Sequence, residues 1–147
     1  MTREIRLVST WIGWALLSAV FAALTAVFAK VGVEAVAPDV ATLIRTLVIL
    51  IVLAGIVVAT GQFRLVTAVQ GRALLFLVLS GLATGASWLC YFRALHLGDA
   101  ARVAPIDKLS VVLVAVFGVT FLGERFSAVN WLGVALIAAG AWFVTLR

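Results

Sequence analysis

Five continuous apolar stretches, at about 11–29, 40–60, 73–92, 103–122 and 128–146, occupy almost the whole chain. A hydrocarbon core is roughly 30 Å thick and a helix rises about 1.5 Å per residue, so about 20 apolar residues cross it. Each stretch is close to that length. No water reaches the backbone inside lipid, so a spanning segment must be a helix or a strand of a closed barrel. These runs are continuous rather than alternating, and too few to close a barrel. The links between them are short, which makes successive helices antiparallel. The expected fold is an all-α integral membrane protein with five transmembrane helices in an up-down bundle.

The chain is 65% hydrophobic and 12% charged, against about a quarter charged in a soluble domain, so it lacks the polar helix faces that water requires. Its net charge of +5 comes without a basic run. It therefore does not point to nucleic acid, and the Lys and Arg residues read as topology determinants and anchors at a lipid surface. Cys90 is the single cysteine. It can form neither an intramolecular disulfide nor a zinc cluster and reads as a small packing residue. His96, also alone, ends the third stretch and reads as an interfacial side chain. Arg3 and Arg6 precede an apolar run as in a signal peptide, but the run is too long for that and is expected to stay as the first helix.

Several local signals place the helix ends. Glu34, Pro38 and Asp39 lie in the first link, Gly61 and Gly71 bound the second, and residues 123–127 form a tight turn. Pro105 is expected in the first turn of the fourth helix, with Asp107 then in the positive potential of a helix start. Ser127 is expected to cap the fifth helix. Trp11, Trp14, Trp131 and Trp142 fall near span ends, as in an interfacial aromatic belt.

Five spans put the two ends of the sequence on opposite sides. Arg3, Arg6, Arg64, Arg72 and Arg125 then face Lys30, Arg93, Arg102 and Arg147, with Arg45 and Lys108 somewhat deeper, which is five against six. Counting only residues clear of the spans it is five against two, which favours an inside N-terminal end. The near balance permits insertion in both orientations.

Ionisable groups at membrane depth are costly and tend to be paired or functional. Arg45 is the most telling, about five residues into the second span. It either snorkels to the interface or faces a cavity, pairing with Asp107 or with an anionic group of a ligand. Asp107 and Lys108 are adjacent and point about 100° apart on a helix, so at least one faces the bundle. Lys30 and Glu34 are spaced to pair across one turn. Together with Arg93, these charges fall toward one side of the membrane, and a pathway lined by them would favour an anionic or zwitterionic solute. Mutual pairing as a gate is equally consistent. On the third span Thr84, Ser87, Trp88 and Tyr91 form a polar-aromatic face, suited to helix packing or to lining a pathway. Gly81 and Gly85, and Gly133 and Gly140, allow close helix approach. No P-loop, nucleophile elbow, metal motif or paired catalytic carboxylates are present. The sequence thus points away from an enzyme and toward no cofactor and no metal.

The run Pro105-Ile-Asp107-Lys108-Leu-Ser, then Phe121-Leu-Gly123-Glu124-Arg125, then Asn130-Trp-Leu-Gly133-Val-Ala-Leu-Ile-Ala-Ala-Gly140 resembles the EamA family of the drug/metabolite transporter superfamily. Tyr91-Phe-Arg93-Ala-Leu leading to Ala104-Pro105, the stretch ending at Lys30, and Ile-Arg45-Thr also match, so the likeness covers nearly all of 1–147 as a single domain. Typical members carry two inverted five-helix repeats. The resemblance therefore implies half of a ten-helix transporter, completed by an antiparallel homodimer in the cytoplasmic membrane of a bacterium or archaeon. It implies a small-molecule substrate (a metabolite, amino acid or drug-like solute) moved by alternating access, with membrane lipid the other partner. Expected pathway or gate residues are Arg45, Asp107 and Lys108, supported by Lys30 and Arg93, with Trp88 and Tyr91 lining the route. Glu124 is expected to stabilise its turn with Arg125 or a neighbouring helix end. Small multidrug carriers of the superfamily have a Glu in the first helix, whereas this helix has no acidic residue between 11 and Lys30. The rival readings are a non-transporting membrane subunit and a lipid-carrier flippase component acting with a partner protein.

Overall fold

The computed structural model describes residues 2–66 and 68–146, with side chains from Trp11 onward. The topology residues Arg3, Arg6 and Arg147 lie outside the described side chains. The elements are α1 (Thr2–Ala35), α2 (Pro38–Ala59), α3 (Phe63–Val66), α4 (Gly71–Leu97), α5 (Ala100–Asp107), α6 (Ser110–Phe121) and α7 (Ala128–Thr145). No strand occurs among the described residues. Five segments are long and apolar enough to cross a bilayer: Trp11–Ala35, Pro38–Ala59, Gly71–Leu97, Ala100–Phe121 and Ala128–Thr145. The all-α, five-span expectation holds.

Two boundaries run further than expected. The first span continues to Ala35 and the third to Leu97, because a helix keeps its internal hydrogen bonds after leaving the hydrocarbon and tolerates charge there. The fourth span differs more. Its helix starts at Ala100, where the Asp99 carbonyl accepts the N–H groups of Arg102 and Val103 at 2.9 Å. Pro105 therefore sits inside α5 rather than in its first turn. The missing proline N–H deprives the Ala101 carbonyl of its partner one turn on. Just beyond, the backbone tightens to i→i+3 bonds from Leu109 to Ile106, Val111 to Lys108 and Val112 to Leu109. Asp107 accordingly ends α5 instead of starting a helix, although α6 begins at Ser110 close by.

The chain forms two compact units, Met1–His96 and Leu97–Arg147. In the first, α1 and α2 pack through the short link at 36–37. Ala37 is extended (φ −55°, ψ 137°), as a residue before proline must be, and Pro38 opens the helix. Ala26, Ala29 and Val33 form the buried stripe of α1, at the i, i+3, i+7 spacing of one helix face. Phe92 and Leu95 are the buried residues of α4. At the other end of α2, Gly61 adopts φ +69°. There the N–H of Gln62 reaches the Val57 carbonyl and that of Gly61 the Val58 carbonyl, both at 3.0 Å, the double bond that closes a helix C-terminus on glycine.

In the second unit both α5 and α6 pack on α7. Small residues are buried there, Ala115 and Gly118 on α6 and Ala141 on α7, as expected where helices approach without a hydrophobic drive between them. Gly123, at φ +70°, turns the chain after α6. Ser127 caps α7 as expected: its Oγ accepts the Asn130 N–H at 3.3 Å, and its hydroxyl donates to Asn130 Oδ1.

Candidate functional site

The charged end of the first unit gathers residues from three helices. Lys30 on α1 donates to the Leu95 carbonyl at 3.0 Å and pairs with Glu34 at 3.8 Å. Arg93 Nη2 on α4 reaches both carboxylate oxygens of Asp39 on α2 at 3.1 Å. Nδ1 of His96 lies 2.8 Å from the Val33 carbonyl. A carbonyl only accepts, so that contact requires the proton on Nδ1. These bonds tie α4 to α1 and to α2 where the helices leave the apolar zone. Lys30 and Arg93 are thus engaged in holding helices together.

Arg45 lies six residues beyond Asp39 on α2, about 9 Å further along the axis. It does not simply reach outward to water. Its guanidinium carbon stands 4.0 Å from the centre of the Trp88 ring and 5.5 Å from that of Phe92. A cation over an aromatic face gains roughly 0.5–2 kcal/mol, most when desolvated. Trp88 and Phe92 are four apart on α4, so both rings stand on the face turned to α2. The Tyr91 ring lies edge-on to Phe92 at 6.4 Å. The two described carboxylates of this unit, Glu34 and Asp39, are engaged by Lys30 and Arg93.

Beside Arg45 is a cavity of about 370 Å³. Phe28, Ala29 and Gly32 of α1 form one wall, Ala41 and Ile44 of α2 another, and Phe92 closes the α4 side. Arg45 and Thr25 bring the polar groups. Apolar walls with a few placed polar groups, in a volume of about 300–1,000 Å³, are the usual form of a small-molecule site. Phe92 escaped the sequence reading because a phenylalanine in a lipid span is ordinary. The signal available was its i+4 spacing from Trp88.

In the second unit Asp107 and Lys108 form an adjacent pair at 3.2 Å, at the junction of α5 and α6. The two side chains meet despite the 100° offset of neighbours on a regular helix. Glu124 follows the Gly123 turn, its N–H bonded to the Gly118 carbonyl at 3.0 Å and its carboxylate lying over Gly118. Gly81, Gly85, Gly133 and Gly140 find no packing partner within 4 Å inside their own units. Among the described residues no cluster of His, Cys, Asp and Glu suits a metal ion.

A Sinorhizobium protein described as an uncharacterized transporter in the cobO 3′ region is 70% identical over 132 residues, which is 90% of this chain and 94% of the relative. No solved structure matches the chain. The profile of the EamA-like transporter family matches residues 9–146. With five membrane-spanning helices and a relative described as a transporter, the chain belongs to the EamA-like transporter family and is a multi-pass membrane protein of the transporter kind.

Proposed function

We propose that two copies of the chain associate antiparallel in a bacterial or archaeal cytoplasmic membrane and carry a small molecule by alternating access. One observation carries this reading: in the 18-residue apolar stretch of each span, no more than 11% of the residues are buried by the protein itself. Wide apolar faces are left for lipid and for a second copy, and the small-residue faces at Gly81 and Gly85 suit close approach. The near balance of Lys and Arg lets either orientation insert. Carriers of inverted repeats hold their solute between the repeats, commonly beside broken helices. Arg45, Trp88 and Tyr91 then meet the solute, with Lys30 and Arg93 supporting them from the charged end. Asp107 and Lys108, at the break between α5 and α6, form the second polar group of the route.

The test is orientation. A cytoplasm-only fluorescent reporter and a periplasm-only phosphatase are fused separately after residue 147. Strong signal from both supports the antiparallel pair of identical chains. Signal from one alone rejects it and directs the search to an oppositely oriented partner chain. Asp107→Ala should still insert but fail to load proteoliposomes with any member of a labelled panel of organic acids, amino acids and amines that the wild type takes up. Uptake unchanged in that variant removes Asp107 from the route.

A further inference from the structure

We infer that the cavity beside Arg45 takes a small organic monocarboxylate with an apolar body, its carboxylate on the guanidinium and its body among Phe28, Ile44 and Phe92. The inference deepens the pathway proposed above and rests on that reading. Three features of the cavity and its surroundings select this chemistry. First, the Arg45 guanidinium carbon is held 4.0 Å from the centre of the Trp88 ring. A cation–π contact uses none of the guanidinium's N–H groups in conventional hydrogen bonds to oxygen, and these groups form a fork that matches a carboxylate.

Second, the carboxylates described in this unit are already engaged, Glu34 by Lys30 and Asp39 by Arg93. No charge of this unit's described residues therefore competes for Arg45. Third, among the described residues Thr25 is the only polar side chain beside Arg45 in the cavity wall. None of the described lining residues offers an ammonium a counter-charge, and an ammonium that gives up hydration against an apolar wall without a partner is disfavoured. The site therefore prefers an anion over an amino-acid zwitterion of the same shape. At about 370 Å³ the space suits a ring or short chain rather than a whole lipid.

The probe is 3-phenylpropionate, titrated calorimetrically into the full chain in phosphatidylcholine nanodiscs. Phenylalanine is the same skeleton with an added ammonium, and 3-phenylpropanol lacks the charge. Both are expected to bind at least about 10-fold more weakly. Arg45→Gln should lose binding by at least about 10-fold, and Arg45→Lys should fall in between, because an ammonium keeps the charge without the fork. Gly32→Leu is the second variant. Gly32 lines the cavity and has no neighbour within 4 Å of a built Cβ, so the larger side chain fills the space with Arg45 untouched, and binding should again be lost.

Equal affinity in wild type, Arg45→Gln and Gly32→Leu overturns the inference, as does phenylalanine binding as tightly as phenylpropionate. Nanodiscs containing phosphatidylglycerol separate a soluble carboxylate from a lipid phosphate. Loss of phenylpropionate binding there, restored by removing the anionic lipid, would assign Arg45 to the lipid and overturn the inference. Binding that persists with both reporters one-sided would sink the antiparallel homodimer while leaving this site standing. Absent binding with both reporters positive would do the reverse.

Discussion

Replacing Gly118 by alanine tests how the turn after α6 is held. A Cβ built at Gly118 stands 2.5 Å from Glu124 Oε2 and 3.2 Å from its Cδ. Ordinary contact begins near 3.4 Å, so the carboxylate must retreat by about 0.9 Å. Glu124 is exposed and free to turn about its side-chain torsions, so it moves and the backbone stays. Leaving its preferred rotamer costs about 0.5–1.5 kcal/mol, while Ala is favoured over Gly inside a helix by about 0.8–1.0 kcal/mol. The two terms nearly cancel, and Gly118→Ala alone should lie within about 0.7 kcal/mol of wild type. In a Glu124→Ala background the obstruction is gone, and the same substitution should stabilise by nearly the full propensity difference. The coupling between the two positions is then about 1 kcal/mol. Reversible unfolding of the four proteins in mixed micelles, followed by far-ultraviolet circular dichroism, measures it. Additivity to within about 0.3 kcal/mol would refute the packing of the carboxylate on Gly118.

Three further outcomes follow from the contacts above, read by the same unfolding assay. The Asp39–Arg93 pair joins α2 to α4, but its side chains are 61% and 59% exposed; Arg93→Glu should cost no more than about 1 kcal/mol, and adding Asp39→Arg should recover most of it at low salt. Lys30→Met removes the donor to the Leu95 carbonyl and should cost about 1–3 kcal/mol, whereas Glu34→Gln, which touches only the exposed ion pair, should cost less than about 1 kcal/mol. Ser127→Ala should cost about 1 kcal/mol, and Ser127→Asp, which keeps an acceptor for the Asn130 N–H, should lose little.

How legible this protein is from its residues depends on which physical constraint speaks. Span number and type were readable because bilayer thickness sets a length that apolar runs either reach or miss. The Ser127 cap was readable because an orphan N–H at a helix start asks for a nearby oxygen. The overhanging ends at Lys30–Ala35 and Arg93–Leu97 were not. Charge marks the edge of the hydrocarbon, while hydrogen bonding marks the edge of the helix, and the two part company in the headgroup region. Pro105 pointed to a helix start, where its missing N–H does no harm; the register that puts it inside α5 is set by Asp99, from outside the apolar run. At the candidate site, Arg45 stood out by its depth in the span, whereas the ring it rests on and the cavity beside it depend on how α2 meets α4. That crossing is a tertiary fact with no local signature.

The bond from Lys30 to Leu95 has a consequence in time. Its partners are 65 residues apart, and at about 5–20 residues per second the ribosome needs roughly 3–13 s to make the second after the first. For that interval the ammonium on α1 waits at the bilayer surface with Glu34, one turn away, as its local companion. The later arrival of α4 offers it a carbonyl that no earlier segment supplies. The contact therefore doubles as an order marker in assembly, silent until the third span is in place, and a pause in translation before residue 95 would lengthen the life of an intermediate whose first two helices have no latch.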